Sequence, residues 1–184
     1  MNSEDCNTGT APIRKTSYGY WQLLKSGLGM LPGMPQLPFW PMLMFHRIVE
    51  ISESGGAHGK GFIRAEFDVR PKWRFLPKRW FFWCHFVGKP VMPGCLQVDA
   101  LWQMLGFFLG WIGTPGDGFA LGVGELKFSA KILPGAKRIQ FGVDVTKIVR
   151  IEKKKTVIAV GNGWVKLDGE IVCAAQDLKV GFSA

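Results

Sequence analysis

No apolar stretch in this chain is long enough to cross a bilayer. The longest runs from Ala100 to Ile112 and is broken only by Gln103, whereas a spanning helix needs about 20 residues. Cysteine is sparse: Cys6, Cys84, Cys95 and Cys173 form no CxxC pair and no disulfide framework, which points to free thiols in a reducing compartment. The N-terminus, MNSEDCNTGT, carries acids and no apolar core, so it is not read as a secretory signal. No internal repeat is visible. Acids are outnumbered, 14 against 23 Lys and Arg, for a formal charge of +9. Such a balance draws acidic partners without choosing among nucleic acid, membrane and protein. A cytoplasmic protein with no membrane span is expected.

What is present is apolar and bulky. The 184 residues are 47% hydrophobic, with fourteen Phe and eight Trp, enough for one domain with a full core. Residues 1–16 are polar and read as a flexible N-terminal segment; residues 17–184 read as a single domain. Ser17 can cap a short helix over Tyr18 to Lys25, stopped at Gly27. A proline- and glycine-rich loop follows over residues 27–41. Met42 to Ile51 and Lys60 to Val69 read as strands of a hairpin. RPKWRFLPKR, residues 70–79, reads as a basic loop. Pro93-Gly94 should start a long apolar helix that ends near Ile112, before Thr114-Pro115-Gly116. Strands are then expected over Phe119–Leu133, Lys137–Ile151, Thr156–Leu167 and Glu170–Val180, with Asp168-Gly169 as a tight hairpin turn. Helix and strands do not alternate, so the class is α+β with an antiparallel sheet. A helix apolar on nearly all sides must be covered on nearly all sides. One sheet wrapped around it does most of this, and a second copy could cover the rest.

The segment FFWCHFVGKPVMPGCLQVDALWQ, Phe81 to Gln103, sets His85 and Asp99 in the most apolar part of the chain. Burying a polar group without a partner is costly, and burying a lone charge more so. Asp99 shares a helix face with Cys95, Trp102 and Gln103 by spacing. It needs a donor or it takes up a proton. Gly94 permits close approach of a ligand to the backbone and lies where helix N–H groups are free to meet a developing oxyanion. A base, an acid and an oxyanion donor suit proton abstraction beside a carbonyl; a satisfied structural His–Asp pair is the plainer reading. Cys84, His85 and Cys95 lack zinc-ligand spacing and a fourth ligand, so no metal is expected. Cys95, near a helix N-terminus, is a minor candidate nucleophile with no second histidine in the segment to serve it.

The string CHFVGKPVMPGCLQVDALWQ closely resembles the β-hydroxydecanoyl-acyl-carrier-protein dehydratase/isomerase family. PQLPFWPMLMFHRIVEISESGG, ALGVGELKFSAKILPGAK and DLKVGF resemble it too, so the likeness covers roughly residues 17–182. It implies a hot-dog fold, a long helix wrapped by an antiparallel sheet, in a homodimer. It implies dehydration of 3-hydroxyacyl-acyl-carrier-protein to the trans-2-enoyl product, with isomerisation to the cis-3 product, in bacterial fatty acid biosynthesis. No cofactor is implied. By position, His85 matches the catalytic histidine, and Asp99 the catalytic aspartate working across the dimer interface. Gly94 matches the residue whose N–H binds the thioester oxygen. Cys95 and Gln103 match positions lining the site, and Val91 orients the histidine through its carbonyl. Asp99, where related dehydratases without the isomerase step carry Glu, favours the dehydratase/isomerase branch.

Departures stand beside these matches. His46 replaces an expected Asp, Trp83 an expected Gly and Lys89 an expected acid, and the stretch from Lys72 to Arg79 is several residues longer than the family's. Trp83 and this insert bear on tunnel shape and chain length. The basic loop reads either as a solvated loop or as a docking patch for an acidic carrier protein through Lys72, Arg74, Lys78 and Arg79. Single-stranded nucleic acid, with Trp73 and Phe75 stacking, and a membrane surface are lesser readings, and no nucleic-acid partner is expected. Two rival functions remain: a hot-dog thioesterase, and a non-catalytic acyl or nucleic-acid binding module on the same fold.

Overall fold

The computed structural model describes residues 14–69 and 80–183. The expected short helix begins later than Ser17 suggests: α1 spans Tyr20–Gly27. Tyr18 instead bridges Ile48 by paired backbone bonds, and the Gly19 N–H is taken up by Gln22 Oε1 at 2.9 Å. The first strand is also shorter than expected, β1 covering Arg47–Ser52. Residues 42–45 are drawn off to the long helix instead, as described below. β2 (Phe62–Asp68) follows, then a four-residue helix, α2 (Phe81–Cys84), that the apolar run FFWC does not announce. The long helix α3 occupies Gly94–Trp111, within one residue of its expected end.

The expected strand over Phe119–Leu133 is two strands, β3 (Asp117–Gly122) and β4 (Glu125–Phe128). Gly122 has φ 152°, and on the last strand Asp177, beside Gly124, has φ 52°. The pairing with the last strand slips between Ala120 and Gly122 and resumes at Glu125. β5 (Arg138–Ile151), β6 (Thr156–Leu167) and β7 (Glu170–Ser183) complete the chain. The β6–β7 hairpin turns at Asp168-Gly169, both at positive φ, which suits a two-residue turn. All pairings are antiparallel, in the order β1-β2-β5-β6-β7-β3, with β4 also on β7.

The sheet's inner face closes on α3. Ile63, Ala65 and Phe67 of β2 and Val157, Ala159 and Val165 of β6 are buried in alternation, as a half-covered sheet requires. The backbone of β6 comes close to the helix at Gly163, where an added Cβ would lie 2.9 Å from Leu101 and 2.7 Å from Leu178. Much of the rest of α3 is covered by its own chain. The Trp111 indole donates to the Lys15 carbonyl at 2.9 Å, Tyr18 meets Phe107 edge-on at 5.1 Å, and Pro35 lies against Gly110. Among the α3 residues Cys95 alone is exposed. Strand β3 ends the sheet and has no partner on its outer edge among the described residues.

Candidate active site

The site is assembled from the loop after α2 and the first turns of α3. Phe81 and Phe82 bury their rings and pin α2 to the core. Trp83 and Cys84 are thereby turned outward, Trp83 with 62% of its surface exposed. His85 closes the helix, its N–H donating to Phe81 O at 2.9 Å. The chain then turns through Gly88 at φ 77°, with Phe86 and Lys89 exchanging backbone bonds. Val91 comes back beside His85. Its N–H donates to the His85 carbonyl at 2.8 Å, and its own carbonyl lies 3.0 Å from His85 Nδ1. A carbonyl only accepts, so Nδ1 carries a proton toward it, and in the neutral ring Nε2 is the nitrogen with the free lone pair.

Asp99 is partly buried. Burial pushes its carboxyl above the ordinary carboxylate range, and the Gln103 amide pulls the other way. Gln103 Nε2 donates to Asp99 Oδ2 at 2.6 Å and to Met42 O at 2.8 Å. Its Oε1 accepts from the Met44 N–H at 3.1 Å. One buried amide therefore ties the acid to residues 42–44, which is why that stretch leaves the sheet. The Met42 and Met44 backbone groups carry no sequence signal for this role.

Gly94 opens α3, and its N–H has no acceptor among the described residues. The Phe128 ring of β4 lies directly over it: an added Cβ would sit 2.8 Å from Cζ. Neither a hydrogen bond nor an ion pair joins His85 to Asp99 within the chain. Cys95 is exposed at the head of α3. Cys173 is buried, and burial pushes its thiol up to about 11, far from use as a thiolate. His46 stacks on Phe67 at 4.5 Å and accepts the Asp68 N–H at 2.8 Å, and Lys89 is exposed. Lys72, Arg74, Lys78 and Arg79 lie outside the described residues. Among those described, no three His, Cys, Asp or Glu side chains gather as a metal-binding group, and no helix is long and apolar enough to cross a membrane.

A long helix wrapped by an antiparallel sheet defines a hot-dog protein. A solved structure of similar fold is the dehydratase heterocomplex ApeI:P from Xenorhabdus doucetiae, with TM-score 0.55 and 14% identity over 79% of this chain and 85% of that one. A thioesterase from Haemophilus influenzae is similar at TM-score 0.45 and 14% identity, over 73% and 78%. Within that class the family model described as the FabA-like domain matches residues 37–176. The chain belongs to the FabA-like family, and that span contains His85, Val91, Gly94, Cys95, Asp99 and Gln103.

Proposed function

We propose that the chain dehydrates a 3-hydroxyacyl thioester carried on acyl carrier protein to the trans-2-enoyl thioester. The observation that carries this reading is the His85–Val91 pair. In the neutral ring it leaves Nε2 as the nitrogen able to take a proton, while α3 supplies a free N–H at Gly94 and, at Asp99, a carboxyl whose hold on its proton burial strengthens. His85 Nε2 takes the C2 proton. The charge gathering on the thioester oxygen is met by the Gly94 N–H, with the helix dipole behind it. The C3–O bond breaks as Asp99 gives its proton to the leaving hydroxyl, so water departs. His85 is left protonated and Asp99 ionised, and passing the proton back restores both. Gln103 holds Oδ2 and leaves Oδ1 for the departing oxygen. The thioester itself acidifies C2, so no cofactor is needed. The same base can return a proton between C4 and C2 to give the cis-3 product, the finer activity that Asp99 favours.

The acid and base are proposed to meet across a homodimer, His85 of one copy facing Asp99 of a second. The missing His85–Asp99 contact within one chain and the unpaired edge of β3 support this. Phe119 and Leu121 of that strand stand nearly half in solvent. The acidic carrier is proposed to dock on Lys72, Arg74, Lys78 and Arg79, in a cytoplasmic setting. Product analysis on 3-hydroxydecanoyl thioester tests the whole reading. Enoyl product is expected; free thiol without enoyl product would assign a thioesterase, and binding without turnover an inert acyl module. Charge reversal at the four basic residues should raise KM for carrier-linked substrate and leave a short soluble thioester untouched.

A further inference from the structure

We propose that Phe128 is a specificity-determining residue that holds the site to 3-hydroxyacyl thioesters without a branch at C2. The proposal deepens the dehydration reading and rests on it for the identity of the thioester. The outer end of the Phe128 ring faces Gly94: a Cβ built there would lie 2.8, 2.9 and 3.3 Å from Cζ, Cε1 and Cε2. Cβ atoms on a helix tilt toward its N-terminus, the way the unpaired N–H groups of the first turn point. The ring therefore stands ahead of α3, on the side from which an oxygen approaches the Gly94 N–H, and leaves no room for a methyl group there. The wall is built on held backbone. In β4, Leu126 pairs with Ala175 and Phe128 with Cys173, and directly opposed residues put their side chains on one face. Cys173 and Ala175 are buried on that face, whereas Leu126 is 37% and Phe128 46% exposed. Two apolar side chains thus point to the core side of the sheet without being covered, and they border open space. Backbone bonds clamp both ends of the strand, Gly124 N–H to Gln176 O at 2.9 Å and Ser129 N–H to Val172 O at 3.0 Å. The Ser129 hydroxyl adds a bond to Ile171 O at 2.7 Å. Met92 N–H donates to Ile132 O at 2.9 Å, tying the chain just ahead of Gly94 to the loop beyond β4. The Phe128 backbone is fixed against Gly94, and only the ring's own torsions can make room.

This clearance is felt at C2. With the thioester oxygen on the Gly94 N–H, C2 lies two bonds from that oxygen and so beside the ring. An unbranched C2 carries two hydrogens, of which one goes to the base. A methyl in place of the other is a group of the size that does not fit over Gly94 unless the ring turns away. Turning is open to a half-exposed ring, so a branched chain is disfavoured rather than refused. One added carbon in a tight pocket is typically worth about 10–200-fold in selectivity, and a wall that can move sets the value near the low end.

The test is a ratio of kcat/KM on the full-length protein, for the N-acetylcysteamine thioester of 3-hydroxydecanoate against the faster of its two 2-methyl epimers. Wild type should prefer the unbranched chain about tenfold or more, and Phe128→Ala should bring the two chains close to parity. A ratio taken on one preparation does not depend on its folded fraction, so a less stable variant cannot imitate this result. Leu126→Ala, on the same strand and face, should keep the wild-type ratio. Dissociation constants for the two thioesters, compared between Asp99→Asn and Asp99→Asn/Phe128→Ala, read the same wall without turnover. A preference for the unbranched chain that Phe128→Ala removes there upholds the proposal even where no enoyl product forms and the dehydration reading fails. Equal use of both chains by wild type, a wild-type ratio in Phe128→Ala, or a lost ratio in Leu126→Ala would overturn it. So would failure of both thioesters to bind.

Discussion

His85 and Val91 hold each other twice, by the Val91 N–H on the His85 carbonyl at 2.8 Å and by the Val91 carbonyl 3.0 Å from the imidazole Nδ1. The five-residue loop between them fixes both the position of the ring and which nitrogen of the neutral ring is free. His85→Ala removes the base and leaves the backbone bond intact. The variant should keep its fold, by circular dichroism and melting temperature, and lose about 10²–10⁴ in kcat/KM on 3-hydroxydecanoyl thioester. A folded variant with wild-type turnover would remove the histidine from the mechanism.

Asp99 couples activity to stability through pH. Burial raises its carboxyl above the unfolded value of 3.8, so the unfolded chain gives up this proton first as pH rises. Stability from this group is greatest below the unfolded value, falls as pH rises through the interval up to the raised folded value, and is level beyond it. Asp99→Asn cannot ionise. It should therefore melt higher than wild type at neutral pH and converge with it near pH 3, while its dehydratase rate collapses. In wild type the rate should fall on the alkaline side, as the acid loses the proton it must donate. Melting curves across pH for the two proteins check the first expectation and a pH–rate profile the second.

The long helix and the β6–β7 hairpin were legible in the sequence because local chemistry sets them. Pro93-Gly94 opens the one, Thr114-Pro115-Gly116 closes it, and Asp168-Gly169 takes the positive φ the other demands. The break between β3 and β4 was not legible. FALGVGELKF keeps an unbroken strand character, and the interruption comes from the slipped pairing with β7, whose own distortion sits at Asp177. In the site, His85, Gly94 and Asp99 stand out as polar or small residues in an apolar run. Gln103 stands out less, because its two backbone partners, Met42 and Met44, lie about sixty residues away and a backbone group has no sequence signature.

Gln103 should prove structural as well as functional. Gln103→Leu leaves the Met42 carbonyl and the Met44 N–H without their partner. Each such loss costs about 1–3 kcal/mol when the group is buried, so urea unfolding should show a deficit of about 2–6 kcal/mol. Gln103→Glu is the sharper probe. It keeps an acceptor for Met44 and puts a second carboxyl beside Asp99, which should raise the pair's titration further. The alkaline limb of the rate profile should then move to higher pH, a shift that a loss of packing alone does not produce.

Gly94 lies beneath Phe128, and the cause of its smallness can be separated into packing and chemistry. An alanine Cβ there would sit 2.8–2.9 Å from two ring carbons of Phe128, closer than real contacts allow. Overpacking of this kind typically costs about 1–3 kcal/mol. The ring is 46% exposed and has room to swing outward, which places Gly94→Ala at the low end. Shortening the neighbour in Gly94→Ala/Phe128→Leu should recover most of that stability, and the double-mutant cycle should return a coupling of about 1 kcal/mol. Activity should behave differently. If the Gly94 N–H meets the thioester oxygen, the alanine methyl stands where substrate approaches the backbone. The double variant should then fold as well as Phe128→Leu and still turn over far more slowly. Recovery of both stability and rate would make Gly94 a packing residue only.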